Sequence, residues 1–453
     1  MRVLRSPVPC EGVDTMAVTV PKAQAPGAVA TRTPLTSNQK KGFIAAYAGW
    51  TLDGMDGFIY GLVLVPALRE LLPASGIDPT QVNIGVWGSF LFAMFLAGWG
   101  LSMFWGIIGD RIGRVRALAL TIVAYSAATL MCGLVSNVYQ LAILRVLCGF
   151  GLGGEQPVGS TFVAESLPED RRVKFAGYLH TGYYVGFLLA SIANYTIGAN
   201  YGWRWMFAFG GLPALFVGWI MSNVKESHKF EEMKKTKKPS ILSSFGALFA
   251  SKYRNRTIVM SCVYLVSIIG QWAGSIFVPT ALTQIALRGG ATAADAARLA
   301  SWGGAVLAIG TVLGCLCAPI LAERFGRRVA MAIYMSLLTV TTAVAFGWAF
   351  FLMENAVETF FFMTFLLGIA GANFAMYTLW LPELYETSSR GSGMGFISSI
   401  GRFVGVGVVF LIGAGVNHFG NIGTPIALTS IVLFLGLFLL PFTVETRGQP
   451  LPR

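Results

Sequence analysis

Apolar residues run along this chain in long stretches, and short polar stretches with glycine, proline or charged residues separate them. A helix rises 1.5 Å per residue, so about 20 mostly apolar residues cross the hydrocarbon core of a bilayer. About twelve segments meet that requirement: 43–70, 83–107, 117–136, 139–163, 174–198, 204–223, 256–286, 299–322, 330–352, 357–381, 391–416 and 424–442. The pattern predicts an all-α membrane protein with about twelve transmembrane helices.

A hydrophilic stretch divides these segments into two groups of six. Of the 453 residues, 55% are hydrophobic and only 12% are charged, whereas soluble domains carry about 25% charged residues. Two similar halves joined by a polar linker are typical of transporters whose substrate site lies at the midplane between the halves. The predicted organisation is a disordered cytoplasmic tail (1–41), a six-helix bundle (42–223), a basic cytoplasmic linker (224–255), a second six-helix bundle (256–442) and a cytoplasmic tail (443–453).

The charge distribution indicates topology rather than nucleic-acid binding. The chain has 33 Lys and Arg residues against 21 Asp and Glu, a net charge of +12. If the N-terminus is cytoplasmic, most basic residues fall in tails and loops on that same side, as the positive-inside rule requires. We therefore predict a multi-pass protein of the plasma membrane, the inner membrane in a bacterium, with both termini cytoplasmic. The expected partners are lipid, protons and a small-molecule substrate, with no nucleic acid and no obligate protein partner.

The same loop pattern follows the second segment of each half. In the first half it is Gly106-Ile-Ile-Gly-Asp110-Arg-Ile-Gly-Arg114, and in the second it is Ala322-Glu323-Arg-Phe-Gly-Arg327-Arg. Each places an acid beside an arginine, then a glycine that permits a tight reversal, then more arginine. A single copy could be an ordinary arginine-rich cytoplasmic loop. Two copies at matching places leave that interpretation little weight.

These loops resemble the signature of the major facilitator superfamily, and the resemblance covers about 43–442. The fourth segment, from Arg145 to Glu155, looks like that superfamily's fourth-helix motif, and 165–172 and 382–390 look like helix-end motifs of its sugar and organic-acid branches. Two departures are Glu323, where the family usually has Asp, and Pro319, which stands where the first half has Gly106. The resemblance implies two bundles that work by alternating access. The expected gating residues are Gly106, Asp110, Arg111, Gly113, Arg114, Glu165, Arg171, Glu323, Arg324, Arg327, Glu383 and Arg390.

Two acids in the first segment are candidates for proton coupling. Asp53 lies about ten residues in, roughly 15 Å deep, where an unpaired carboxylate is costly and normally faces a cavity. Asp56 is three residues further on, so both acids lie on one helix face. The alternative is that each acid only pairs with a structural cation. The Asp-Gly-x-Asp pattern resembles the first-helix signature of aromatic acid/proton symporters, which implies that both acids serve transport, and Arg145 and Glu155 join them as expected proton-coupling residues.

Arg402 is the candidate for binding a substrate carboxylate. It lies about eleven residues into the eleventh segment, and its planar guanidinium suits a carboxylate. A fixed salt bridge to a protein acid is the alternative. His180 stands where sugar porters carry a substrate-binding glutamine, although it could equally be a packing residue. The other expected substrate contacts are the polar or aromatic residues Gln271, Trp272, Asn373 and Tyr377.

Motifs for other functions are missing from the sequence. There is no nucleotide-phosphate loop of the form G-x-x-x-x-G-K-[ST], and the cysteines lack metal-ligand spacing. We therefore expect no enzyme activity, no cofactor and no metal. The sequence favours a secondary active transporter that carries a small organic anion, an aromatic acid or other monocarboxylate, by proton symport. The alternatives are a sugar or other neutral-metabolite porter or an exporter of the same superfamily, and a non-transporting membrane sensor with the same fold.

Overall fold

The computed structural model describes residues 33–101, 103–234 and 246–452, and these residues form helices with no β-strand. Most of the predicted tail 1–41 and the middle of the predicted linker 224–255 lie outside the described residues. The helices before the linker are α1 (Ser37–Ala74), α2 (Gln81–Leu101), α3 (Met103–Ile112), α4 (Arg114–Cys132), α5 (Val138–Leu152), α6 (Glu155–Ser166), α7 (Glu169–Ala193), α8 (Ala199–Tyr201), α9 (Trp203–Gly210), α10 (Pro213–Asn223) and α11 (His228–Lys234).

The helices after the linker are α12 (Arg254–Ile276), α13 (Val278–Arg288), α14 (Ala293–Phe325), α15 (Arg327–Gly347), α16 (Ala356–Gly371), α17 (Asn373–Trp380), α18 (Arg390–Phe419) and α19 (Gly423–Leu437). A π-helical turn covers Asn194–Gly198, and short 3-10 turns cover Ala349–Phe351, Leu381–Glu383 and Leu440–Phe442. We call 37–223 the first lobe and 254–442 the second lobe. The prediction of an all-α protein is confirmed for the described residues.

Nine helical spans in the described ranges are long and apolar enough to cross a membrane. Three further predicted segments, 139–163, 174–198 and 391–416, are not among the nine. These three segments contain Arg145, His180 and Arg402, respectively. Each of them therefore holds a candidate functional residue.

The two lobes repeat the same packing. In the first lobe α1 packs on α7 and α2 packs on α5, and in the second α12 packs on α18 and α14 packs on α16. Glycines bring the second of these pairs into backbone contact: a Cβ on Gly98 would lie 2.0 Å from the carbonyl oxygen of Val146, and one on Gly310 would lie 2.4 Å from that of Phe365. Small residues at such crossings are how membrane helices approach closely.

A break inside the fourth span positions an acid. The sequence predicts one helix over 139–163, whereas α5 ends at Leu152 and α6 begins at Glu155. A Cβ on Gly154 would lie 2.3 Å from Thr121 Cγ2, so the chain at this break is pressed against α4. The break thus places the Glu155 side chain at the start of a new helix, inside the first lobe.

The first helix begins earlier than predicted, and the chain after the last helix packs against the second lobe. Helix α1 begins at Ser37, five residues before the predicted boundary at 42, because Thr36 and Gln39 form a reciprocal capping box. Residues 443–452, predicted as a tail, pack against the second lobe: Trp380 Nε1 donates to the Val444 carbonyl oxygen at 3.1 Å, and Arg390 Nη2 donates to that of Pro452 at 2.7 Å.

The lobes meet along two helix pairs related by the repeat. Helix α7 of the first lobe packs on α14 of the second, and α2 and α3 pack on α18. The second and eleventh spans, and the fifth and eighth, therefore form the interface that contains the candidate site.

Candidate functional site

Each lobe contains one of the two repeated loops. At that loop a buried arginine donates a hydrogen bond to a buried glutamate. In the first lobe Arg114 Nε donates to Glu165 Oε2 at 3.0 Å. In the second lobe Arg327 Nε donates to Glu383 Oε2 at the same distance, 3.0 Å. In both, Nη1 of the arginine also bonds a carbonyl oxygen at the end of the preceding helix. We call this side of the molecule the basic face. The arginines of the two loops are structurally equivalent, as their sequences predict.

Two further arginines connect the lobes across the basic face. Arg390 of the second lobe donates to Glu165 of the first at 2.6 Å, and Arg172 of the first lobe donates to Glu383 of the second at 2.9 Å. All four side chains are buried. Arg114 Nη2 adds a bond to the Thr387 carbonyl oxygen at 2.9 Å. Removing one partner of such a buried pair leaves an uncompensated charge, which is strongly destabilising.

Asp110 forms a second contact between the lobes, at the start of α18. Its carboxylate accepts from the backbone N–H groups of Gly391 and Ser392 at 3.2 and 2.7 Å and from the Ser392 hydroxyl at 2.6 Å. The N-terminus of a helix favours negative charge, so this is a strong position for an acid. The matching acid of the second lobe, Glu323, is exposed. The basic face is therefore held asymmetrically, by the loop of the first lobe.

The remaining predicted gating residues have distinct positions. Gly106 meets Gly391 so closely that a Cβ would lie 2.0 Å from its carbonyl oxygen, and Gly113 reverses the chain at φ 110°. Arg324 is exposed like Glu323, and the structure does not bring either of them into the contacts between the lobes. Arg111 and Arg171 are half-buried on the same face.

The basic face also contains two acids that the sequence analysis did not identify as functional residues. Glu226 Oε2 accepts from the Val115 N–H at 3.1 Å, and the Glu445 carboxylate accepts from the N–H groups of Arg327 and Arg328 at 2.9 and 3.0 Å. Each thus caps the helix that follows a repeated loop. The signal in the sequence is an acid followed by a hydroxyl residue just after each lobe, Glu226-Ser227 and Glu445-Thr446.

The two capping acids have opposite electrostatic environments. Burial raises the pKa of Glu226, and the hydrogen bonds from Val115 and Ser227 offset only part of that effect. Burial also acts on Glu445, but backbone N–H groups of Arg327 and its neighbours outweigh it and lower the pKa of that carboxyl group. Equivalent positions in the repeat therefore shift the pKa of a carboxyl group in opposite directions.

At the centre, Arg402 lies between the lobes with no acid bound to it. Its Nη2 donates to Gln156 Oε1 of the first lobe at 2.8 Å, its Nη1 donates to the Ser398 carbonyl oxygen at 3.0 Å, and its guanidinium lies 4.3 Å from the Trp99 ring centroid. Within the described ranges, no carboxylate lies within salt-bridge distance of it. The side chain is buried. The alternative of a fixed salt bridge finds no support here.

Gln156 was missed by sequence reasoning. Its Oε1 also accepts from the Tyr264 hydroxyl of the second lobe at 3.3 Å, so one amide oxygen links α6 to α12 and α18. A single uncharged glutamine in the fourth span belongs to no sequence motif that would indicate its role. Its position next to Glu155 was the only available signal.

Asp53 and Asp56 are both fully buried but face different neighbours. Neither carboxylate oxygen of Asp53 has a hydrogen-bond partner among the described residues, and the group lies within electrostatic range of Arg402 and Glu155. Asp56 Oδ2 accepts from the Thr129 hydroxyl at 2.8 Å, inside the first lobe. Of the pair predicted to share one cavity, only Asp53 is associated with the interface.

Arg145 and Glu155 do not pair with each other. Arg145 stacks on Tyr60 and Phe95, with 4.0 and 4.4 Å from Cζ to the ring centroids, and attracts the Asp56 carboxylate without bonding it. Glu155 Oε1 accepts from the Thr121 hydroxyl at 2.6 Å. Glu155 also lines a narrow cavity between the lobes. The cavity lining is Ala46, Trp50, Glu155, Gln156, Gly159, Ser160, Leu179 and Thr378.

The other predicted substrate residues surround this centre. His180 Nδ1 lies 3.2 Å from the Thr378 hydroxyl across the interface, and Tyr377 bonds Ser267 at 2.7 Å. Trp272 packs on Phe92 of the first lobe with ring centroids 5.5 Å apart.

Two buried amides add polar groups to the second lobe. Asn373 has no hydrogen-bond partner for either amide atom in the part of the chain that the structure describes, and Gln271 has none for its Oε1. Gln271 lies against Gly371, where a Cβ would be 2.5 Å from its Oε1. Both amides therefore hold unused hydrogen-bonding capacity inside the protein.

This fold and site, two packed helical lobes with buried charges between them, define a multi-pass transporter of small solutes. A family model for the Major Facilitator Superfamily matches residues 43–294. The chain belongs to that superfamily, whose members are transporters rather than enzymes, and the predicted fold of two six-helix bundles with about twelve transmembrane helices is confirmed.

Relatives and solved structures agree with this assignment. The chain is 30% identical over 420 residues to a Cupriavidus pinatubonensis protein named "Probable 4-methylmuconolactone transporter", covering 90% of this chain and 91% of that protein. It is 25% identical to the niacin transporter NiaP of Acinetobacter baylyi, covering 89% and 93%. The proton:xylose symporter XylE has the same fold, with a TM-score of 0.74, 18% identity and coverage of 92% and 98%.

Proposed function

We propose that the protein is a proton-coupled symporter of a small organic anion, an aromatic acid or other monocarboxylate. The observation that carries this is Arg402, a buried guanidinium at the lobe interface. Within the described residues, its only hydrogen bond to another side chain goes to an uncharged amide. A buried cation needs an anion, and the described residues place none against it. A substrate carboxylate supplies that anion in the geometry that guanidinium favours.

The surroundings of Arg402 suit an anion with a flat apolar body. Trp99 lies under the guanidinium, and Trp272 packs nearby on Phe92. Gln271, Asn373, Tyr377 and His180 provide polar groups on the second lobe and across the interface. The names of two relatives, which refer to a methylmuconolactone and to niacin, fit a small, largely planar, oxygen-rich metabolite.

Asp53 is the group that couples substrate to proton. Its carboxyl group lies within electrostatic range of Arg402 but is not bonded to it. When Asp53 is protonated, the field at Arg402 favours a substrate anion, and when Asp53 is ionised it competes with that anion. Asp56, Arg145 and Glu155 extend this coupled group of charges into the first lobe. One proton and one monoanion then cross together, without net charge.

The structure corresponds to the state closed at the basic face. We assign that face to the cytoplasm because the basic residues are concentrated there, and this places the described chain ends of a bacterial inner-membrane protein on the cytoplasmic side. Glu165, Glu383 and Asp110 would release their partners when the lobes rock to the inward-open state. The two bundles (42–223 and 256–442) would move as units around the linker 224–255.

Transport assays on the full chain in proteoliposomes test the proposal. Nicotinate and benzoate are the probes, with an acidic exterior. We expect accumulation above equilibration that an uncoupler abolishes. Asp53→Asn should lose that accumulation and keep counterflow, whereas Asp78→Asn in an exposed loop serves as the matched control.

A second comparison tests the carboxylate site. Arg402→Lys keeps the charge but loses the planar fork, so we expect at least about tenfold weaker binding of both acids. Exposed Arg69→Lys is the control. Undiminished binding by Arg402→Lys, together with saturable uptake of a neutral sugar, would replace the anion proposal with a neutral-metabolite porter. Intact proton-driven accumulation in Asp53→Asn would remove the coupling assignment.

A further inference from the structure

Three hydroxyl side chains form a row along α4. Thr121, Tyr125 and Thr129 are spaced four residues apart, so they lie on one face of the helix. All three are buried. Thr121 Oγ1 bonds Glu155 Oε1 at 2.6 Å at one end of the row, and Thr129 Oγ1 bonds Asp56 Oδ2 at 2.8 Å at the other. The row therefore begins on one buried acid and ends on another.

Tyr125, in the middle, has an unused hydroxyl. In the described part of the chain this hydroxyl has no hydrogen-bond partner, although the residue is fully buried. It lies within electrostatic range of Glu155, Asp53 and Asp56. Burying a hydroxyl without a hydrogen-bond partner costs folding free energy. Such a group in a native structure therefore needs an explanation, and a functional role is one. A hydroxyl can both accept and donate a proton, which is what an intermediate in a proton pathway requires.

The neighbouring helices bring several titratable or charged groups to this row. Arg145 attracts Asp56, and the Cys148 thiol lies 3.4 Å from Thr129 Oγ1. Among the described residues, the groups around the row are Asp53, Asp56 and Tyr60 from α1, Arg145 and Cys148 from α5, Glu155 from α6 and Cys132 on α4 itself. Thr121 Oγ1 also lies 2.7 Å from the Leu118 carbonyl oxygen, and the carboxyl groups that the row bonds are the acids at its two ends.

We propose that this row, the hydroxyl ladder, relays a proton between Asp56 and Glu155. The inference deepens the proposed function and rests on it. Eight residues separate the ends, so the proton moves roughly 12 Å along the helix. Because Tyr125 has no direct hydrogen bond to either threonine, a water molecule carries the proton between its hydroxyl and each of them. The Asp56 carboxyl group gives up its proton and becomes a carboxylate, each hydroxyl and each water takes one proton and passes on its own, and the Glu155 carboxylate becomes a carboxylic acid. The hydroxyls are unchanged at the end of the step.

The ladder connects the interior of the first lobe to the substrate site. Thr121 is seven residues from the start of α4 at the basic face, and Thr129 is eight residues further from that face. Glu155 lines the cavity between the lobes and precedes Gln156, the residue that holds Arg402. A proton that reaches Glu155 therefore removes a negative charge next to the amide that a substrate carboxylate has to displace.

Infrared difference spectroscopy on the purified full chain tests the ladder without any substrate. After a rapid drop in pH, the rate at which Glu155 becomes protonated is followed through its carboxyl band, which Glu155→Gln identifies. Tyr125→Phe removes one oxygen and keeps the ring, and we expect it to slow this protonation at least about tenfold, as loss of a positioned proton-transfer group does. Ser126→Ala, a buried hydroxyl on the same helix outside the row, is the matched control and should keep the wild-type rate.

A second pair of variants keeps the test decisive if Tyr125→Phe folds poorly. Thr129→Val keeps the shape and removes the hydroxyl, and should slow Glu155 protonation, whereas Thr129→Ser should restore it. Equal rates in Tyr125→Phe, Thr129→Val and Ser126→Ala would overturn the ladder. This outcome is separate from failure of symport, because wild-type proteoliposomes that move no protons with nicotinate or benzoate would refute the proposed function while leaving the infrared rates to decide the ladder.

Discussion

Asp110 accepts two hydrogen bonds from Ser392, one from the backbone N–H at 2.7 Å and one from the hydroxyl at 2.6 Å. Both bonds cross the lobe interface at the start of α18, where the helix dipole strengthens them. The equivalent acid of the other lobe makes no such contact, since Glu323 is exposed. Sequence repetition therefore does not imply mechanical equivalence here.

This asymmetry predicts unequal effects of two matched substitutions. Asp110→Asn removes the charge from hydrogen bonds that contribute about 1.5–3 kcal/mol each, so the state closed at the basic face should lose at least about tenfold in population. Glu323→Gln should change it less than about twofold, as exposed charges usually do. Distance distributions between spin labels on the two lobes measure the populations. Equal shifts in both variants would contradict the asymmetry.

Two substitutions of Gln156 should change the affinity for the substrate in opposite directions. Gln156→Glu places a carboxylate 2.8 Å from Arg402 and forms a fixed ion pair, so carboxylate binding should fall at least about tenfold. Gln156→Ala removes the competing amide oxygen, and binding should tighten by roughly fivefold, the equivalent of one net hydrogen bond. Isothermal titration with nicotinate measures both. Strong binding by Gln156→Glu would place the substrate carboxylate elsewhere.

The sixth span offers a matched pair of glycines. A Cβ on Gly210 would lie 2.8 Å from Asp56 Oδ1 and 2.6 Å from Thr129 Cγ2, whereas one on Gly218 meets nothing within 4 Å. We expect Gly210→Ala to lower the free energy of unfolding by about 1–3 kcal/mol through overpacking and to reduce proton-driven uptake. Gly218→Ala should be neutral or slightly stabilising, because alanine is the better helix former. Thermal unfolding and uptake together check this.

Glu445 predicts a loss of stability in acid. Backbone N–H groups lower its pKa in the folded protein, so its contribution is present above the ordinary value near 4.3 and is lost as pH falls through the lowered value. Wild type should unfold at a higher temperature than Glu445→Gln at pH 6, and the difference should vanish at low pH. A difference that does not change with pH would show that the charge is unimportant.

Glu226 predicts the opposite pH dependence. Burial raises its pKa, so its favourable contribution is complete below about pH 4.3 and is lost as pH rises through the raised value. Glu226→Gln retains an acceptor for the Val115 N–H and should be as stable as wild type, or more stable, at pH 8. A clear destabilisation by Glu226→Gln at pH 8 would contradict this reading of the burial.

Much of the fold could be predicted from the sequence because lipid imposes a strict pattern. Twelve apolar segments, the division at the basic linker and the paired loops follow from hydropathy and from the positions of arginine. Buried charges such as Arg402 and Asp53 also stand out, since few ionisable residues occur in spanning segments. The break between α5 and α6 was not predictable, because glycine pairs such as Gly153-Gly154 also occur inside continuous membrane helices.

The partners of the charged residues were the part that sequence could not supply. Thr121 and Thr129 look like ordinary members of an apolar helix, and only the folded structure shows which acids they bind. Gln156 and Glu445 likewise acquire their roles from contacts over long sequence separations. Asp53 and Asp56 share a helix face by spacing, yet packing by different neighbours separates their environments.

The backbone contact between α2 and α5 limits how each lobe deforms. A Cβ on Gly98 or Gly149 would lie 2.0 Å from the carbonyl oxygen of Val146 or Phe95, respectively, so these helices have no room to slide past one another. Gly310 and Gly368 impose the same restriction on α14 and α16. Each pair is therefore expected to move as one rigid unit, and one helix of each pair, α2 or α14, packs on the other lobe. Bending during the transport cycle is then expected beside these pairs, above all at the break between α5 and α6.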